Sequence, residues 1–201
     1  MKKLSILIVA CLIFTGCITS QPSKFYILTP TKYNNDSVNS QSPPLPILKN
    51  KNITVGVGPV SIAKYLDRSQ LVVRLSSNQI RLEDFHQWAG SPRDDIPAIL
   101  LENISSVIEI NRVYKYPWQS HAKIDYQIVV DIIQLDGRPD SNVRLVARWE
   151  IMKSGREVIK SQKADFTEPV DNNQFDSFVA AQSRAIGHLS LMIAKSLIEL
   201  I

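Results

Sequence analysis

Only two cysteines, Cys11 and Cys17, occur in the 201 residues, and both lie at the start of the chain. From residue 18 onward there is no thiol, which excludes a disulfide framework, a cysteine zinc site and a thiol nucleophile from that stretch. The three histidines, His86, His121 and His188, stand alone with no second ligand at metal spacing. Each reads as a surface or core-edge residue. No Gly-x-Ser-x-Gly elbow is present, and Gly56-x-Gly58-Pro59 lacks the third glycine and the following helix that a dinucleotide loop requires. Asp94, Asp95 and Glu102 fall on or near an expected helix start, where capping and the helix dipole account for them without acid–base work. Charge of one sign is also scarce. The formal net charge of +4 includes Lys2 and Lys3, so removal of the first 16 residues would leave +2, with no basic patch of the kind that binds nucleic acid. These absences leave no metal centre and no activated nucleophile, and the sequence predicts a protein that is not an enzyme.

What is present begins at the first residue. Lys2 and Lys3 precede an apolar run of eleven residues, Leu4 to Phe14, and Gly16 stands directly before Cys17. That order is a charged region, an apolar region and a small-residue cleavage site, as in a secretory signal. The run is too short for the roughly 20 residues needed to span a bilayer, so removal is expected rather than retention. Phe14-Thr15-Gly16-Cys17 resembles the lipobox that directs diacylglycerol onto a cysteine, with Phe14 where leucine is usual. Ile8-Val9-Ala10-Cys11 fits the same letters but leaves an apolar region of only about seven residues. Cys17 is therefore the expected lipid attachment site and Cys11 the alternative. Ile18 stands where an Asp would signal inner-membrane retention, so resemblance to sorted lipoproteins implies the periplasmic face of the outer membrane. The chain divides into a signal peptide (1–16), a lipidated tether (17–23) and one domain (24–201). No cofactor beyond the covalent lipid on Cys17 is implied, and the acyl chains make the membrane a partner.

About eight residues separate Cys17 from the first strand candidate, Lys24 to Leu28, and even fully extended they reach under about 30 Å. Residues 29–50, rich in Asn, Ser and Pro, read as a long surface loop, expected to be a solvated spacer, with a binding segment as the alternative. From Ile53 the apolar residues recur with period two. Ile53, Val55 and Val57 alternate with Thr54 and Gly56, then Leu71, Val73 and Leu75 with Val72 and Arg74, and Ile80 and Leu82 continue the pattern. A longer strand is expected from Ala122 to about Ile133, with Ile124, Tyr126, Ile128, Val130 and Ile132 on one face. Val143 to Ile151, a turn at Lys153-Ser154-Gly155 and a return strand to Phe166 form the clearest hairpin. Two helices are expected. One covers about 95–110 with Ile96, Leu100, Ile104, Val107 and Ile108 inward. Its start is placed at Asp95 because a start at Ser91 would put Pro97 past the first turn. The other covers about 174–200, with Phe175, Phe178, Val179, Ile186, Leu189, Ile193, Leu197 and Leu200 on one stripe and Arg184, His188 and Lys195 opposite. The expected fold is a single compact α/β domain: a mixed, mostly antiparallel sheet packed by these two helices.

Several segments taken together carry a family resemblance. They are Phe25-Tyr26-Ile27-Leu28 shortly after Cys17, Val57-Gly58-Pro59-Val60, Tyr65 through Arg74, Trp88-Ala89, and Ala181-Gln182-Ser183-Arg184-Ala185-Ile186. In their order and spacing they resemble the PqiC/YmbA family of transport-auxiliary lipoproteins over nearly the whole mature chain. The resemblance implies an outer-membrane lipoprotein subunit of a Pqi-type system for lipid transport between membranes. It further implies an MCE-domain partner that bridges the periplasm and a homo-oligomeric ring that receives it. The Tyr65-Leu66-Asp67-Arg68 turn and Trp88 are the candidate partner-binding residues. The alternative for the turn is local structure, with Tyr65 and Leu66 packed inward and Asp67 paired to Arg68; for Trp88 it is cover of a core edge. The rival function is a periplasmic lipoprotein that itself binds a small apolar ligand or serves envelope structure.

Overall fold

The structure, a computed structural model, describes residues 21–31, 52–108, 110, 112–119, 122–154 and 157–201. The signal peptide, both cysteines, most of the 29–50 segment, His121 and Gly155 lie outside the described residues. Eight strands and two helices follow in the order β1 (Lys24–Tyr26), β2 (Val55–Ile62), β3 (Gln70–Ser76), β4 (Gln79–Trp88), α1 (Pro92–Ile108), β5 (Val113–Lys115), β6 (Tyr126–Gly137), β7 (Asn142–Lys153), β8 (Glu157–Pro169) and α2 (Phe175–Leu200).

The period-two segments pair as one curled sheet, and the two helices share its core. The hairpins β3–β4, β6–β7 and β7–β8 are antiparallel, as alternation and short turns dictate. The expectation of a mostly antiparallel sheet is corrected, because β1–β4, β2–β5, β2–β6 and β3–β6 are all parallel. These pairings join distant segments, Val55 to Tyr126 for instance, and hydrophobic period reports nothing about partners so far apart.

β6 organises the sheet. One edge carries β7 along its whole length, while the other carries β2 from Tyr126 to Ile132 and then β3 at the single pair Val73–Gly137. A bulge at Ile133 shifts the ladder, so that Ile132 faces Ala147 but Gln134 faces Val146. Ile128, Val130 and Ile132 are buried before the bulge and Leu135 after it, a change of parity in the inward set. The strand therefore runs past Ile133, where it was expected to end. Ile124 lies before it rather than in it. At the far end Gly137 lies between β3 and β7, pressed against the start of β7. A Cβ there would lie 1.9 Å from the Asn142 carbonyl oxygen and 2.7 Å from Val143 Cα. Backbone cannot step aside as a flexible side chain can. Gly137→Ala is therefore expected to destabilise the domain by about 3 kcal/mol or more, measured as a shift in the urea midpoint at unchanged slope.

α1 buries Ile96, Leu100, Ile104, Val107 and Ile108, the whole expected face. Its start differs from the expectation: the helix begins at Pro92, and the Ser91 carbonyl accepts from the Asp94 and Asp95 N–H groups. Pro92 at the first position loses no hydrogen bond. Pro97 is tolerated because the carbonyl it displaces belongs to the exposed Arg93, still in the first turn and close to water. α2 buries Phe178, Val179, Ile186, Leu189, Ile193 and Leu197 of the expected stripe, with Phe175 and Leu200 half-buried at its ends, and also Ala181, Gln182, Ser183, Ala185, Gly187, Ser190, Ala194, Ser196 and Ile198, leaving Arg184, His188 and Lys195 on its outer side. The extra burial has a visible source. After β1 the chain runs across both helices, where the Thr29 N–H donates to Ser183 Oγ on α2 (3.1 Å) and the Thr31 N–H to Asn103 Oδ1 on α1 (2.8 Å). Asn103 is fully buried and its amide reaches Ser190 Oγ, so the segment next to the expected tether is fastened to the centre of the helix pair.

Candidate functional site

The Tyr65-Leu66-Asp67-Arg68 turn follows β2 and is held by the sheet beneath it. Asp136, in β6 beyond the bulge, is fully buried and accepts four hydrogen bonds. Arg74 donates to it bidentately, Nε to Oδ1 at 2.6 Å and Nη2 to Oδ2 at 2.7 Å. The Tyr65 hydroxyl donates to Oδ2 at 2.7 Å and Gln134 Nε2 to Oδ1 at 2.8 Å. An ionised carboxylate offers about four lone-pair sites, and here all are filled. Burial and the adjacent Asp136 push the Tyr65 phenol well above its ordinary value, and the hydrogen bond to Asp136 raises the Arg74 guanidinium. Tyr65 stays a neutral donor and Arg74 a permanent cation. The network sits where β3 meets β6 through one ladder pair, so it supplies side-chain bonds where backbone bonds run out.

The rest of the turn is also tied down. Leu66 is buried at 6 % exposure, and Arg68 Nε donates to the Tyr65 carbonyl at 2.7 Å. Asp67 pairs with Arg93 in the first turn of α1, not with Arg68 as a purely local arrangement would have it. Trp88 ends β4 at 9 % exposure; its N–H bonds the Ser69 carbonyl, linking it to the same turn. The structure thus brings Trp88 and the turn together. Leu66 and Trp88 face the core, while Asp67 and Arg68 are partly exposed.

A second feature forms around β5, which sequence reading missed because three residues carry no periodicity. A cleft of about 520 Å³ is lined among others by Arg112, Tyr114, Lys115, Trp118 and Lys123. Gly56 gives Trp118 its seat, since a Cβ there would lie 2.8 Å from the indole. Gly58 holds φ at +123° under Tyr116, whose ring meets Trp118 edge to face at 5.3 Å.

His86 and His188, the two histidines among the described residues, each join separate elements of the fold. His188 Nδ1 lies 2.7 Å from Glu168 Oε1 across α2 and β8. His86 shares a 2.7 Å hydrogen bond with the Tyr26 hydroxyl and stacks on Phe175 at 3.8 Å, joining β1, β4 and the start of α2. Burial pushes the His86 imidazole below its ordinary value, with Lys24 adding to the effect and Glu83 opposing it. The neutral ring is favoured in the folded state, so this contribution is complete above about pH 6.5 and is lost as pH falls through that value towards the lower folded midpoint. An NMR titration is expected to place His86 below about 6.5, and His86→Gln should flatten the fall in stability between about pH 7 and 5. Among the described residues no group of His, Cys, Asp or Glu could hold a metal ion, and no helix is long and apolar enough to cross a membrane.

The family model for the ABC-type transport auxiliary lipoprotein component matches residues 38–194. The chain belongs to this family. The resemblance carried by the turn, the Gly58-Pro59 step and α2 is thereby confirmed at the family level. This transport auxiliary lipoprotein also shares its fold with solved structures of low identity. One is an uncharacterized protein, 19 % identical with a TM-score of 0.68, covering 88 % of this chain and 99 % of that one. Another is protein XCC0632 from Xanthomonas campestris, of the DUF330 family, 14 % identical with a TM-score of 0.68, covering 88 % and 95 %. Among curated proteins none matches. The auxiliary lipoprotein family is associated with the cell envelope and is not a known enzyme family.

Proposed function

We propose that this chain is the outer-membrane lipoprotein subunit of a Pqi-type system that carries lipid between membranes. The observation that carries this reading is the family match over residues 38–194 to a transport auxiliary component. Cys17, acylated after removal of residues 1–16, fixes the domain on the periplasmic face. The domain acts as a docking body, not a catalyst, for an MCE-domain protein spanning the periplasm, and assembles as a homo-oligomeric ring around its end. Tethering raises the local concentration of docking surfaces, so individually weak contacts suffice. At the Tyr65–Arg68 turn such contacts would use Asp67 and Arg68, whose side chains reach solvent, on a base made rigid by Asp136. The rival reading, capture of a small apolar ligand, draws little support from the cleft beside β5, whose lining includes the basic residues Arg112, Lys115 and Lys123.

The test is cross-linking in intact cells, followed by detergent extraction, affinity capture of the tagged chain and mass spectrometry. An MCE-domain protein is expected among the captured partners, and its yield should fall in an Asp67→Lys/Arg68→Glu variant that keeps the parent melting temperature. Capture of cell-wall proteins or enzymes alone would remove the transport assignment.

A further inference from the structure

β1 and the two residues after it sort their side chains sharply. Tyr26 and Leu28 turn inward, onto His86 and into the core, while Phe25 and Ile27 turn outward and remain 64 % and 61 % exposed. Phe85 of β4 joins them. β1 and β4 run parallel with Phe25 opposite Gln87, two positions from Phe85, which is 43 % exposed where the β3–β4 ladder skips from Glu83 to Gln87. Three exposed large apolar side chains therefore belong to one edge of the sheet, on β1, the residue after it and the neighbouring β4. Scattered exposed apolar residues need no explanation, but a contiguous cluster marks a surface that something covers.

Its position decides what covers it. Phe25 lies eight residues after Cys17, a span of under about 30 Å when fully extended. Among the described residues, the strand that carries the patch is the first element after the tether. Lys24, beside the patch, is exposed and has no ion-pair partner among the described residues, as suits a residue at the level of anionic headgroups. Thr29 and Thr31 fasten the same segment to both helices, so the patch cannot swing away from the domain.

We propose that Phe25, Ile27 and Phe85 insert into the headgroup–acyl boundary of the bilayer that holds the acylated Cys17, making the β1–β4 edge the membrane-facing side of the domain. This rests on the reading of Cys17 as the lipid site. The patch converts a flexible leash into a fixed orientation, with β8, connected to β1 only through β4, β3, β6 and β7, away from the membrane.

Because the mature chain carries no thiol besides the acylated one, a cysteine introduced at one position is a unique site for a nitroxide label. Full-length acylated chains bearing Phe25→Cys, Ile27→Cys, Phe85→Cys or Val158→Cys would be reconstituted in phosphatidylethanolamine–phosphatidylglycerol vesicles, floated, and read by oxygen and nickel-chelate collision rates. Labels at 25, 27 and 85 are expected to show severalfold more oxygen than nickel collisions, the signature of lipid. The label at 158, 48 % exposed on β8, should show the reverse. Flotation with nickel-accessible labels at 25 and 27 overturns the inference while leaving the anchor intact. Low collisions with both reagents would mean the patch is covered by a second copy of the chain, and would also overturn it. Failure to float at all would overturn the lipid-site reading and the inference with it.

Discussion

Arg74→Met is expected to destabilise the domain by about 3–5 kcal/mol, the cost of leaving a buried carboxylate without its counter-charge. Asp136 has no exposed surface, whereas the Arg74 side chain retains 27 % exposure. The two ends of the pair are therefore unequal. Removing the arginine strands a charge that water cannot reach, with only Tyr65 and Gln134 left to bond it. Removing the carboxylate frees a guanidinium that water can partly solvate, so Asp136→Asn, which keeps the shape, should cost less, about 1–3 kcal/mol. In the double variant Arg74→Met/Asp136→Asn the losses should not add, because no unpaired charge remains. Urea unfolding of the three variants measures each value. Additive losses would show that the network is a surface ornament and not the staple between β3 and β6.

Cys17→Ala is expected to abolish palmitate incorporation and to shift the protein from the outer-membrane fraction to soluble periplasm or to uncleaved precursor. Each buried methylene contributes about 0.8 kcal/mol of membrane affinity, and one chain alone holds only marginally. Under the proposed reading the anchor has three chains, so loss of the attachment site is expected to remove essentially all of the binding. The Phe25, Ile27 and Phe85 patch would orient a tethered domain but is too small to replace the anchor. Cys11→Ala should leave labelling and fractionation unchanged; loss of label in that variant alone would move the lipid to Cys11.

The fold was legible where chemistry is local. Alternation along Val143–Ile151 with the short turn after Lys153 specifies β7 and β8, and the 3.6-residue recurrence from Phe178 to Leu197 specifies α2. Parallel pairing was not legible, because β2 and β6 meet across 71 positions of sequence, Val55 to Tyr126, and nothing in either segment names the other. The bulge at Ile133 hid the end of β6. Up to Ile132 the even-numbered residues point inward; beyond it Leu135 does, so a strict period of two appears to stop there. The same slip concealed Asp136. The Tyr65–Arg74 segment was conspicuous, but its buried partner could be found only once the bulge and the curl of the sheet had placed β6 beneath it. The start of α1 shows a rule applied too strictly. Pro97 excludes a hydrogen bond to Arg93, yet one missing bond in an exposed first turn is smaller than the gain from burying Pro92 and Ile96. β5 and the aromatic pair Tyr116–Trp118 had one available signal, the small residues Gly56 and Gly58, whose missing side chains make room for the two rings.

Intact mass spectrometry of the chain purified from outer membranes tests the account most directly. The account predicts a mature protein beginning at Cys17 and heavier than its polypeptide by a thioether-linked diacylglycerol and an amide-linked acyl chain. A mature chain recovered from soluble periplasm, with an unmodified thiol or with residues 1–16 still attached, would contradict it.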